Sequence, residues 1–321
     1  MKALLRGAMA VLWVPAFAWA APPQRIVDAW YAHNATLLML GASDRVVATV
    51  VTPQRFPWMY RVAPVLKKAE IINTTSVNAE ELLRLQSDLV FVPTSLHAAP
   101  ALRAVGLNVA EEGFDRFEGL LDCVSSTAEL LQDEQAKSQA QAYRTAFTQA
   151  LAQSGKGRNA SAPRVLHIAS LHPLQIDGEQ SIIDQWIRHA GGVNAAQGVH
   201  GNKRPVTIEQ ILVWNPDIVI LGADAGDTAL LTQDPLWQRV KAVQDHRVHR
   251  NPAGVFNWDR YSPELLLQLE WSREIIQGGK VDRPAMIARI RDFYRRFYRY
   301  DLGDADATRI LDAEPPTAKN G

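Results

Sequence analysis

Apolar positions along the chain follow two rhythms that alternate from one end to the other. Short continuous runs, Arg25 to Ala29, Arg45 to Val51 and Asp88 to Val92, read as buried strands. Ala35 to Leu40 and Asn78 to Gln86 read as helices, and Gly106 to Ala110 begins another strand. The order returns later, with a strand from Arg164 to Ala169 and a helix from Ile182 to Ala190 ended by Gly191-Gly192. A helix from Ile208 to Val213 and strands from Asp217 to Leu221 and Arg247 to Arg250 follow. Strand, helix, strand predicts parallel sheets with crossover connections.

Between the two sets, Ser126 to Ser154 reads as one long helix. Ser126 and Glu129 have capping-box spacing, and Ala136, Ala140, Tyr143, Phe147 and Ala150 form a single stripe. Gly155 and Gly157 can end it. At 1.5 Å per residue it spans about 43 Å, enough for a rod between two domains or a long helix lying on one.

The flanking halves resemble each other. Asn78-Ala79-Glu80-Glu81-Leu82-Leu83 leads to Asp88-Leu89-Val90, and Thr207-Ile208-Glu209-Gln210-Ile211-Leu212 leads to Asp217-Ile218-Val219. In each, a glutamate near a helix start stands eight residues before the aspartate that opens a strand, the mark of duplicated α/β lobes. Glu80 and Glu209 are ordinary first-turn glutamates by the helix dipole, but their equivalent placement also allows a paired role.

Composition narrows the class. The chain has 321 residues, 47% hydrophobic and 21% charged. Lys2 and Arg6 precede an apolar run from Ala8 to Ala18, and Ala18-Trp19-Ala20 is a small-x-small cleavage pattern, so residues 1–20 are expected to be a secretory signal rather than a membrane anchor. Without Lys2 and Arg6 the balance is 32 basic to 34 acidic residues, which carries no nucleic-acid or membrane signature. Cys123 is the only cysteine, so there is neither an internal disulfide nor a lipidated cysteine at the cleavage point, and a soluble periplasmic protein is expected. The sequence contains no Gly-rich phosphate loop, Gly-x-Ser-x-Gly, His-Glu-x-x-His or Cys pair. The Arg/Tyr/Phe run from Arg289 to Tyr300 has helical spacing and suits packing better than nucleic-acid stacking.

Open parallel sheets bind ligands beyond the carboxyl ends of their strands, and two facing lobes would bring those loops together. The candidate ligand-binding residues there are Trp30, Tyr31, His33, Arg55, Trp58, His97, His172, His200, Arg204, Trp258, Arg260 and Tyr261, with Phe56 beside them. Aromatic walls with a few cations suit a bulky, flat or anionic small molecule.

RIVDAWYAHNATLLMLGASDRVVATV, VNAEELLRLQSDLVFV, AGGVNAAQGVHGNKRPVTIEQILVWNPDIVIL, DPLWQRVKAVQDHRVHRNPAGVFNWDRYSPE and DFYRRFYRYDL together resemble the periplasmic solute-binding proteins of metal-chelate ABC importers, the helical-backbone group. The resemblance covers nearly all of residues 24–311. It implies two Rossmann-like α/β lobes (residues 21–124 and 156–312) bridged by a single rigid helix (125–155), with ligand held in the cleft; the tail at 313–321, with its two prolines, is expected to be disordered. The resemblance further implies a monomer, not an enzyme, with no intrinsic cofactor, that docks Glu80 and Glu209 onto the permease transmembrane subunits. Two departures stand out: Asp28 to His33 replaces a small Ser- and Pro-containing turn, placing an aromatic pair and a histidine at the cleft floor, and Gln86-Ser87 replaces Lys-Pro.

Of the eight histidines, His97 and His200 are the candidate metal ligands, one on a cleft-side loop of each lobe. His167, His189, His246 and His249 are read as structural or solvated. A bare divalent ion needs several converging His or carboxylate ligands, whereas a chelate needs aromatic walls and, if anionic, Arg or Lys. The expected ligand is therefore an iron-siderophore-type chelate, with nickel-histidine, haem or cobalamin as alternatives. A periplasmic enzyme using His97 or His172 as acid or base is the reading of a different class.

Overall fold

The computed structural model describes residues 21–73, 77–153 and 162–317, so the expected signal segment lies outside the described residues. The N-terminal lobe is a five-stranded parallel sheet, β1 (Ile26–Asp28), β2 (Val46–Thr49), β3 (Glu70–Ile71), β4 (Leu89–Pro93) and β5 (Val109–Glu112), in the order β3-β2-β1-β4-β5. The C-terminal lobe comprises β6 (Arg164–Leu171), β7 (Leu174–Asp177), β8 (Val193–Asn194), β9 (Arg204–Pro205), β10 (Ile218–Leu221) and β11 (Val248–Arg250). Its order is β11-β10-β6-β7-β9, and β8 also pairs with β6. The parallel set β8-β6-β10-β11 repeats β2-β1-β4-β5, which bears out the duplicated pattern. What the C-terminal lobe adds is antiparallel: β7 pairs with the distal part of β6, and β9 with β7.

The two-lobe architecture is as expected, but the bridging segment is not one helix from Ser126. A helix runs Phe117–Leu130, the chain turns through Leu131 to Asp133 with Gln132 at φ 50°, and a second helix runs Glu134–Gln153, about 30 Å long. Ser126 lies inside the first helix, donating to Glu112 Oε1 at 2.9 Å, so it caps nothing. The cap is Asp133, whose Oδ1 accepts from Gln135 N (2.9 Å) and Ala136 N (3.3 Å). Arg45 holds the turn by donating to Leu131 O (3.3 Å) and pairing with Asp133. The predicted stripe of Ala136, Ala140, Tyr143, Phe147 and Ala150 is the buried face of the second helix. Gly155 and Gly157 lie outside the described residues.

The stripe belongs to an apolar layer running from the N-terminal lobe to the helices Leu265–Gly278 and Arg283–Phe293. Tyr143 Oη donates to Pro263 O (3.0 Å) and Gln139 to Arg296 O (2.9 Å), tying this spine to the C-terminal part of the chain. That part then returns to the first lobe. Arg299 donates to Met39 O (3.3 Å), Trp58 Nε1 donates to Glu314 O (2.8 Å), and Arg61 bonds Thr317 O. Glu314 to Thr317, expected as disordered tail, is therefore packed on the N-terminal lobe; residues 318–321 lie outside the described residues.

Candidate functional site

The carboxyl ends of both sheets face a cavity of about 670 Å³ between the lobes. The N-terminal lobe contributes Trp30 and Tyr31 from the turn after β1, and Arg55, Phe56 and Trp58 from the proline-rich segment after β2. Asp28, last residue of β1, shapes that turn: Oδ1 accepts from Trp30 N (3.0 Å) and Oδ2 binds His33 Nδ1 (2.9 Å). His33 Nε2 meets Thr127 Oγ1 at 2.9 Å, and the threonine hydroxyl donates onward to Cys123 O (2.7 Å). His33 is thus buried one layer below the cleft, its ring parallel to Trp30 at 6.1 Å, and does not line the cavity as expected. The Arg55 guanidinium lies 4.6 Å above the Tyr31 ring.

From the C-terminal lobe come Asn202 and Lys203, in the turn before β9, and Gly254, Phe256, Asn257, Arg260 and Tyr261, in the loop after β11. Aromatic rings meet across the cleft at two places. Phe56 stacks on Phe256 at 5.6 Å and 12°. Tyr261 packs against Trp30 (6.1 Å) and Phe114 (5.6 Å).

Beneath the C-terminal wall is a buried ionic cluster. Arg260 Nη2 contacts Asp177 (2.9 Å) and Asp259 (2.7 Å), and Nε contacts Asp259 (3.0 Å). His167 sits between the same carboxylates, Nδ1 to Asp177 at 2.7 Å and Nε2 to Asp259 at 3.2 Å. Burial alone would raise the Asp177 carboxyl, but Arg260 and His167 outweigh it and hold it at about 2; Asp259 is lowered in the same way. Burial alone would lower His167, but its two carboxylate partners raise it. With His167 protonated, two cations balance two anions; Arg260 Nη1 is left without a protein partner among the described residues. Asp177 Oδ1 also accepts from Lys203 N (2.9 Å), holding that residue at φ 52°. Neither Arg55 nor Lys203 forms an ion pair among the described residues, so one unpaired cation from each lobe borders the cavity.

Six of the twelve sequence-selected ligand residues, Trp30, Tyr31, Arg55, Trp58, Arg260 and Tyr261, line the cavity, and so does Phe56, named beside them. Trp258 is fully buried, its Nε1 turned inward to Glu264 (3.3 Å). His97, His172 and His200 are exposed on loops outside the cavity lining, and Arg204 is held in edge strand β9 opposite Ile176. Neither member of the suggested metal pair, His97 and His200, lines the cavity, and among the described residues no group of three or more His, Cys, Asp or Glu is arranged to hold a metal ion. Sequence reasoning missed Asn202, Lys203, Phe114 and Phe256. Glu80 and Glu209 are exposed in the first turns of helices that precede β4 and β10. In a parallel sheet those turns sit on the carboxyl-end rim, the side on which the cleft opens. Asn78 caps one by accepting from Glu80 N (2.8 Å), and Thr207 caps the other in a capping box with Gln210. No helix among the described residues is long and apolar enough to cross a membrane.

The chain is 23% identical over 274 residues to the molybdate-binding protein MolA of Haemophilus influenzae, covering 78% of each chain. The solved structure of MolA bound to molybdate superposes with a TM-score of 0.75 at 21% identity, covering 87% of this chain and 94% of that one. A periplasmic solute-binding protein from Veillonella parvula superposes with a TM-score of 0.78 at 25% identity, covering 91% and 92%. The family profile described as periplasmic binding protein matches residues 27–253, from β1 through the start of the cleft loop after β11. The chain therefore belongs to the periplasmic binding protein family, a family of substrate-binding proteins rather than enzymes.

Proposed function

We propose that this protein captures an anionic metal chelate of the iron-siderophore type between its lobes and delivers it to the transmembrane subunits of an ABC permease. The observation that carries this reading is the cavity itself, about 670 Å³, with aromatic rings from both lobes and the cations Arg55, Lys203 and Arg260 on its walls. That volume lies in the range of sites for drug-sized ligands. A chelate brings its metal's coordination shell with it, so flat apolar walls and a few cations suffice. Glu80 and Glu209, exposed on the same rim, are the proposed docking points for the permease.

A second reading is supported by the relationship to MolA, whose name gives molybdate as its ligand. Arg260 Nη1, Lys203 and Asn202 stand on one wall and offer donors suited to a small oxyanion. A tetrahedral oxyanion alone would leave most of the cavity to water, which ranks it second.

Tryptophan fluorescence and calorimetric titration with a ferric tris-catecholate, a ferric trihydroxamate, nickel-histidine, haem, cobalamin and molybdate separates the readings. Saturable micromolar or tighter binding of the anionic ferric complex is the expected result. Binding of molybdate alone would replace it with the oxyanion reading, and silence toward all six would sink both.

A further inference from the structure

The loop from Asn251 to Tyr261 supplies much of the C-terminal wall of the cavity, yet it contains no regular secondary structure to hold its shape. Its middle, from Val255 to Trp258, is held from below by one carboxylate. Glu264 is fully buried and is not itself among the cavity-lining residues. Its Oε2 accepts from Phe256 N (2.7 Å), and its Oε1 accepts from Tyr294 Oη (2.7 Å) and Trp258 Nε1 (3.3 Å). Tyr294 Oη in turn accepts from Val255 N (3.1 Å). The packing is close enough that a Cβ at Gly254 would collide with both Tyr294 Oη and Glu264 Oε1.

Every group facing this carboxylate is a donor. The amide and the indole have only a hydrogen to give, and the tyrosine hydroxyl, having accepted from Val255, gives its own to Glu264. A proton on Glu264 would have to displace one of them. The remaining polar neighbours do not compensate: Tyr143 donates to Pro263 O, Tyr298 Oη has no partner, and no Lys, Arg or His forms an ion pair with Glu264 among the described residues. The same side chain also decides which aromatic faces the ligand, since it draws Trp258 inward while Phe256, fixed through its amide, lines the cavity against Phe56.

We infer that Glu264 is a positioning residue whose ionised carboxylate holds the cleft wall in its binding shape, so that ligand affinity falls as Glu264 gains a proton. Burial without a counter-ion raises this carboxyl to about 7 against the hydrogen bonds that oppose the rise, which puts the transition in the neutral range. The inference deepens the proposed binding function, and rests on that reading only for its effect on affinity.

The test therefore begins without ligand. Hydrogen-exchange protection of Val255 to Tyr261, corrected for intrinsic exchange, is followed from pH 5.5 to 8.5. Protection should fall on acidification with a midpoint near 7. Tyr294→Phe, which removes one donor to the carboxylate, should move the midpoint upward, and Glu264→Gln should leave weak protection that no longer varies with pH. Near-UV circular dichroism checks that each variant is folded, and Tyr294→Phe keeps the test open if Glu264→Gln is not. Pre-equilibrium arithmetic gives a ferric tris-catecholate about fourfold weaker apparent affinity at pH 6.5 than at pH 8.5 in the unsubstituted protein. Protection independent of pH, or a midpoint unmoved in Tyr294→Phe, would overturn the inference. Protection that follows pH while this probe fails to bind upholds the positioning role and refutes only the chelate reading.

Discussion

Replacing Asp177 with asparagine removes the carboxylate that joins Arg260, His167 and the backbone of Lys203 into one wall. The ionised form is held at about 2, against 3.8 for an ordinary aspartate. A tenfold change in proton affinity corresponds to about 1.4 kcal/mol, so ionisation of Asp177 contributes about 2 kcal/mol to folding. Because the folded value is the lower one, that contribution is complete above about pH 5 and is lost as pH falls from 4 toward 2. The substitution costs more at neutral pH than this term alone, about 3–5 kcal/mol, because His167 and Arg260 keep only Asp259 to balance two buried charges. Urea unfolding, which unlike guanidinium does not screen charge, at pH 7, 5, 3.5 and 2.5 should show a gap between the two proteins that narrows by about 1.5 kcal/mol over the last two steps. A gap that stays constant from pH 7 to 2.5 would show that Asp177 is not held ionised by its neighbours, and the account of the cluster would be wrong.

Trp258→Ala should act on stability, costing about 3–5 kcal/mol through the cavity it leaves, with any loss of affinity following from loosening of the loop; normal thermal stability would contradict its burial. Arg55→Ala with Lys203→Ala should weaken binding of an anionic ferric chelate and flatten the salt dependence of its affinity, and an unchanged salt dependence would show that neither cation meets the ligand. Glu80→Ala with Glu209→Ala should leave affinity unchanged while abolishing permease-dependent uptake in reconstituted vesicles; a large loss of affinity would place these residues in the site instead. Scattering profiles with and without a bound chelate should differ little, because a spine helix and the C-terminal return through Arg299, Trp58 and Glu314 both tie the lobes together; a large compaction on binding would count against that.

What was legible in the sequence divides along a physical line. Periodicity reports which face of a regular element is buried, so the stripe from Ala136 to Ala150, the strands β1, β2, β4, β5, β6, β10 and β11 and the duplicated Glu-to-Asp units were readable before the structure, while the short β3, β8 and β9 and the antiparallel β7 were not. The start of the spine helix was not, because Ser126 with Glu129 and Asp133 with its following residues both satisfy local capping rules. The choice between them lies in contacts far along the chain: Arg45, some 88 positions away, holds the turn at Leu131 and Asp133.

The same distinction governs the site. In a loop, neighbouring aromatics carry no periodic signal, so Phe256, Trp258 and Tyr261 look equivalent until Glu264 pulls one indole inward. His33 appeared to belong at the cleft floor, yet Asp28 and Thr127 hold both ring nitrogens below Trp30. Lys203 stayed hidden because β9 is only two residues long and antiparallel, departing from the parallel pattern that the first lobe led one to expect. In each case a buried acceptor decides whether a side chain faces the ligand or the core. Two of these acceptors, Asp177 and Glu264, support adjacent parts of one cavity wall, Asp177 through Lys203 and Arg260 and Glu264 through Phe256. The ligand-facing surface of the C-terminal lobe is therefore set by carboxylates that need never touch the ligand, and its chemistry can be altered from beneath without changing any residue in the cavity.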